Sequence, residues 1–228
     1  MHFHLPKPLH GWRAFAGEVG IIVVGVLIAL ASEQVVEDLR WHQKVAVVRQ
    51  SLMQELGNDR GRWEVDMAEV PCLLDSIGKL DRWARDGSGD VTAASANLSS
   101  GGFLWMHSAN WQLATASQTL DHFPVREQLA FATTYDGVAH RQVDIEKAAD
   151  LFERIGSLIP IAEDAPSRRD LRAALGSLKE RIAALTGNDA YMRRHFDALG
   201  VTPDNRDFAA DLSSSRCGGW VRHALPPS

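Results

Sequence analysis

Cysteine is nearly absent. Cys72 and Cys217 are the only two in the chain, so no C-x-x-C pair and no zinc-type spacing exists. The two thiols either form a single bridge, which an oxidising compartment would preserve, or stay apart, and their spacing does not decide. Positive charge is not in excess either, since 24 Lys and Arg face 29 Asp and Glu. A general nucleic-acid binder needs a basic face to neutralise phosphates, so nucleic acid is not an expected partner. There is no H-E-x-x-H, no P-loop, no G-x-G-x-x-G behind a strand and no G-x-S-x-G elbow. His2 and His4 stand together in the tail, but no third ligand is placed to join them, so no metal or cofactor is expected. The remaining histidines stand singly, and the chain reads as a non-enzyme.

Strand-like alternation is also missing, whereas long apolar runs are not. Between Ala14 and Ser32 the only ionisable residue is Glu18, and about twenty mostly apolar residues suffice for a membrane-spanning helix. Trp12 and Arg13 precede the run and Trp41 follows it. At helical rise the two tryptophans lie about 43 Å apart, close to a full bilayer with its headgroups. A cleaved signal peptide is the rival, because Ala29-Leu30-Ala31 has the form of a processing site. The helical pattern runs on through Glu33, Val36 and Leu39 without Gly or Pro, and that continuity favours an uncleaved anchor. Basic residues flank both ends of the run, so the charge rule leaves orientation open. A short inner tail and a large outer domain is the usual outcome for such an anchor.

On a helix, Glu18, Ile22, Gly25, Ala29 and Ser32 fall on one stripe. Gly25-x-x-x-Ala29 permits another helix to approach closely, and Glu18 on the same stripe would face protein rather than lipid. Two other fates stand open for Glu18: snorkelling to the headgroups, or handling a proton.

Gly17-Glu18-Val19 followed by Ile21 to Leu30 resembles a group of bacterial single-pass membrane proteins that open with a short tail, G-E-[IV] and a "GILIAL"-like run. The firm part of the resemblance covers Leu5 to about Leu56, with a weaker echo in Ser108 to Ser117. It implies an uncleaved anchor in the bacterial inner membrane and a helical domain in the periplasm. It brings no catalytic residues.

The expected fold is all-α, an N-terminal transmembrane helix continuing into an antiparallel helical bundle. Residues 1–13 are expected as a cytoplasmic tail, 14–32 as the anchor, 33–212 as a helical extracytoplasmic domain and 213–228 as an irregular tail. Trp41, Val45, Val48, Leu52 and Leu56 mark one helical face that stops near Gly57. A second helix, from Trp63 through Leu80, would fold back as a hairpin and kink at Pro71. The stretch 86–102 reads as a flexible linker. Ser108 suits an N-cap, and Pro124 the start of a helix with Leu129, Ala132, Tyr135 and Val138 on its inner stripe. Ser167-x-x-Asp170 resembles a capping box for a helix carrying Leu171, Leu175, Leu178, Ile182 and Leu185. A short helix from Asp189 to Leu199 ends at Gly200.

Two functions follow as expectations. The first is an accessory or structural subunit, embedded in lipid, whose anchor stripe packs on a membrane-protein partner or on a second copy. The alternative is a periplasmic small-molecule-binding or sensory domain with a pocket formed by Trp105, His107, Asn110 and Trp111.

Overall fold

A computed structural model describes residues 11–99 and 102–204. Among them there is no strand, and the protein is all-α. The helices are α1 (Gly11–Asp86), α2 (Thr92–Ser99), α3 (Ala109–Ala116), α4 (Val125–Leu158), α5 (Ala165–Gly187) and α6 (Asp189–Leu199). The chain divides into two units, Met1–Val47 and Val48–Ser228.

α1 is one continuous helix of 76 residues, so the hairpin expected between the Leu52 and Trp63 segments does not form. Gly57 is not a stop. Its bare Cα lets the 201–204 segment cross the helix: a Cβ there would sit 3.0 Å from the Thr202 carbonyl oxygen, and Asp204 donates its N–H to the Gly57 carbonyl at 2.9 Å. Pro71 lies within the helix and is exposed. Only the carbonyl one turn earlier loses a donor there, and the helix continues through it.

The register of the second unit follows from its ion pairs and hydrogen bonds. Arg49 pairs with Glu127, Tyr135 with Glu55, and Arg141 with Asp66. Both number series rise together, so α4 runs parallel to α1. Arg172 meets Asp81, Asp189 meets Trp63 and Asp197 meets Arg60. These series run in opposite senses, so α5 and α6 are antiparallel to α1. The core is aliphatic and aromatic, with Leu52, Leu56, Leu80, Leu171, Leu178 and Phe196 all fully enclosed.

All five expected core residues of α5 are buried. Its cap differs from expectation. Asp164 accepts the Ser167 N–H at 2.8 Å, so Ser167 is a donor within the first turn rather than the cap. α4 buries Tyr135 and Val138 as expected but turns Leu129 outward, 62% exposed, with Phe131 inside instead. α6 ends as expected at Gly200, whose φ of 69° suits glycine.

A parallel helix pair needs a return leg, and 87–124 supplies it. The stretch read as a linker contains α2, which buries Ala94 and Leu98 and donates from Asn97 to Ser76 Oγ at 3.0 Å. Beyond it, residues 102–108 have no regular structure, and Leu104 and His107 meet Asp66 and Asp59 in turn as the segment travels back along α1. Gln118, at φ 54°, turns the chain toward α4.

Candidate functional site

In the first unit the feature of interest is a surface. The most apolar 18-residue window of α1 has a mean hydropathy of 2.3, and none of it is buried. The large side chains from Val19 to Leu30 are 40–77% exposed. Nothing stands within 4 Å of where a Cβ would lie on Gly17, Gly20 or Gly25, so the stripe carrying Gly25 and Ala29 is open. Ser32 Oγ donates to the Ile28 carbonyl at 2.8 Å, which satisfies its hydroxyl inside the helix. Trp12 is exposed; the Arg13 side chain lies outside the described residues. Trp41 is half-buried, with Lys44 Nζ 4.6 Å from its ring centre.

In the second unit, the return leg is held by acids. Its backbone N–H groups have neither helix nor sheet partners and must be met otherwise. Asp66 accepts from Leu104 N–H at 3.0 Å. Asp59 accepts from His107 N–H at 3.0 Å, and Gln142 Oε1 from Met106 N–H at 2.9 Å. Glu55 accepts from Asn110 at 2.9 Å and Trp111 at 3.4 Å. Those are the second and third amides of α3, which Ser108 leaves without a side-chain cap. Glu55 therefore caps α3 from another helix. The three acids are buried, and in sequence they look like an ordinary charged helix face.

Burial dominates the chemistry of Asp59 and Asp66. It pushes the carboxyl of Asp59 up to about 7, against the opposing pull of the His107 N–H and the Arg62 guanidinium. Asp66 is raised by burial too, although Arg141 and the Leu104 N–H act against it. Burial raises the Tyr135 phenol, and the charge of Glu55, which accepts its proton at 2.8 Å, adds to that. His107 is held below its usual range by burial and then by Arg62.

The four residues expected to form a pocket are thus brought close along the return leg, but they do not share one enclosure. Trp105 is 54% exposed. Trp111 stacks on Tyr135 with ring centres 4.8 Å apart. His107 and Asn110 line a groove whose other walls are Ser51, Gln54, Glu55, Asn58, Arg62 and Ala109, with no indole among them.

A second cavity of about 290 Å³ lies between α4 and α6. Trp63 of α1 and Arg141 of α4 line it from the core side, Asp136, His140 and Asp144 follow α4, and Asn188 and Tyr191 belong to the start of α6. Gly137 leaves room for the Met192 side chain of α6, whose Sδ would lie 2.5 Å from a Cβ there. Arg141 is the unusual member. Its guanidinium lies 3.9 Å from the Trp63 ring centre and gives Nη2 to Asp66 at 2.9 Å. Its Nε and Nη1 are buried without an acceptor. Burial lowers its basicity, and Asp66 works against that. The sequence does not single out this cavity or the acid row, because the cavity draws its walls from distant segments and the acids meet amides 38 to 55 positions further along the chain.

Cys72 is buried and disulfide-bonded; Cys217, the other cysteine of the chain, lies outside the described residues. Among the described residues no cluster of three metal-ligating side chains occurs. No protein-family model matches the chain, and neither a curated protein nor a solved structure matches it.

Proposed function

We propose that the protein is a single-pass membrane-anchored interaction subunit. α1 embeds its first part in lipid and turns the stripe of Glu18, Ile22, Gly25, Ala29 and Ser32 toward a partner helix or a second copy. The carrying observation is the 18-residue window of hydropathy 2.3 with nothing covering it. A soluble monomer rarely leaves more than a few hundred Å² of contiguous apolar surface bare. Lipid is the environment that accepts this one, and open glycine on the helix surface lets a neighbour approach closely. The second unit is then the part offered outside the membrane. The disulfide at Cys72 supports a periplasmic location, because such bonds persist in oxidising compartments.

Two measurements test the two halves of this reading. Alkaline carbonate washing of native membranes should leave the full-length chain in the pellet, and a soluble product lacking its first thirty or so residues would refute the anchor. Gly25→Leu should remove the cross-linked partner or dimer recovered in mild detergent. An unchanged cross-linking pattern would refute the partner-facing stripe while leaving the anchor intact.

A further inference from the structure

We propose that the cavity between α4 and α6 is a binding site for a small zwitterionic metabolite of the α-amino acid class. The carboxylate would lie toward Arg141 and the ammonium toward Asp136 and the rim. This inference concerns the second unit alone and holds whether or not the anchor pairs with a partner.

Arg141 supplies the first argument. A buried guanidinium ordinarily has its donors satisfied, because stripping them of water without replacement is costly. Here one nitrogen is met by Asp66, while Nε and Nη1 are enclosed without an acceptor. They lie on a side chain that lines a cavity. An oxygen brought to them by a side-chain adjustment common on binding would complete the guanidinium. A charged oxygen would do so more strongly than a neutral one.

Charge balance supplies the second. Around the cavity Arg141 is paired with Asp66, and Asp144 with Arg181 at 2.7 Å. Asp189, just behind Trp63, accepts from the indole N–H at 2.6 Å and from Arg193 at 2.9 Å. A bare anion or a bare cation would upset these pairs, whereas a zwitterion adds no net charge. At the mouth, Asp136 is 66% exposed and has His140 Nδ1 at 3.5 Å, so an ammonium can reach it. Tyr191 lines the same cavity, and the face of its ring is a favourable neighbour for a cation.

Size supplies the third. A volume of about 290 Å³ is at the bottom of the range for ligand pockets and fits a molecule of few heavy atoms. Leu185 and Met192 give the walls an apolar part, so a side chain on the ligand has a surface to rest on.

The test uses the full-length protein in mild detergent and each of the twenty common L-amino acids, by calorimetry and thermal shift. At least one should bind with a Kd under about 1 mM and raise the melting temperature. Its α-amide and its N-acetyl derivative should each bind at least about tenfold more weakly. Asp136→Asn, an exposed change that leaves the fold alone, should weaken the free amino acid about tenfold. Arg141→Met should abolish binding, with circular dichroism confirming that the variant is folded. Absence of binding for all twenty at about 10 mM would overturn the proposal. So would binding that both derivatives match and Asp136→Asn leaves unchanged.

Discussion

Asp59 is fully enclosed, and its carboxyl is raised from 3.8 to about 7. The native state therefore holds a proton that the unfolded chain has already released across that interval. Stability contributed by this group is therefore greatest below the unfolded value and is lost as pH rises through the folded one. A shift of this size corresponds to about 4 kcal/mol, taken as an upper figure. Asp59→Asn keeps an oxygen for the His107 N–H and removes the titration. The variant should thus equal or fall slightly below the wild type at pH 4 and gain on it steadily up to pH 8, by about 2–4 kcal/mol. Subtracting the two proteins cancels groups present in both, among them His107, whose lowered basicity gives a slope of the opposite sign. Urea unfolding of the full-length chain in detergent, followed by tryptophan fluorescence at a series of pH values, measures the difference. A flat difference would mean that the carboxylate is as well solvated folded as unfolded. A difference moving against the asparagine as pH rises would mean that the His107 N–H and Arg62 outweigh burial, and the reasoning would fail.

Glu55→Ala should destabilise by about 2–4 kcal/mol, since it strands two α3 amides and leaves the Tyr135 hydroxyl only the Leu52 carbonyl at 3.4 Å; urea unfolding reads it, and a loss under about 0.5 kcal/mol would contradict the cross-helix cap. Tyr135→Phe removes the hydroxyl's bonds to Glu55 and Leu52 but leaves the α3 amides capped, and should cost about 1 kcal/mol in the same assay. Gly137→Ala should move the melting temperature by no more than a few degrees, because the thioether end of Met192 can swing aside and the helix gains from losing a glycine. Met192→Ala is costly by itself, since the side chain is buried, but it should cost less in the Gly137→Ala background than in the wild type; strictly additive losses would mean that the two residues do not crowd each other.

Much of the fold was legible, and the exceptions have physical causes. α5 was readable because Leu171, Leu175, Leu178, Ile182 and Leu185 bury a strict one-sided stripe. The apolar window of α1 was readable for the same reason, being defined by composition along a single segment. The break at Gly57 was misread because a glycine that permits a close crossing and one that ends a helix are the same letter. The Thr202 carbonyl that needs the space lies some 145 residues further along the chain. Pro71 misled in the opposite direction. A proline weakens a helix, but the packed neighbours on either side, Val70 and Cys72, are buried and hold the backbone in line.

The candidate sites were least legible, and the reason is topological. Had residues 41–57 and 63–83 formed a hairpin, each would have been free to place charge outward, and Glu55, Asp59 and Asp66 would be solvated. In one unbroken helix running parallel to α4, the connection must come back along the same surface. Its unpaired amides then require acceptors at fixed heights, and carboxylates at 55, 59 and 66 supply them. The return leg in turn brings Phe103 to Arg141, ring centre 5.8 Å from the guanidinium carbon. The enclosed arginine beside the α4–α6 cavity is thus a consequence of that connection. A variant that loosened the leg, such as Glu55→Ala, should expose Arg141 and weaken binding at the cavity through contacts it does not itself touch. Unaltered ligand affinity in a measurably destabilised Glu55→Ala protein would separate the two features and show that the cavity is organised by α4 and α6 alone.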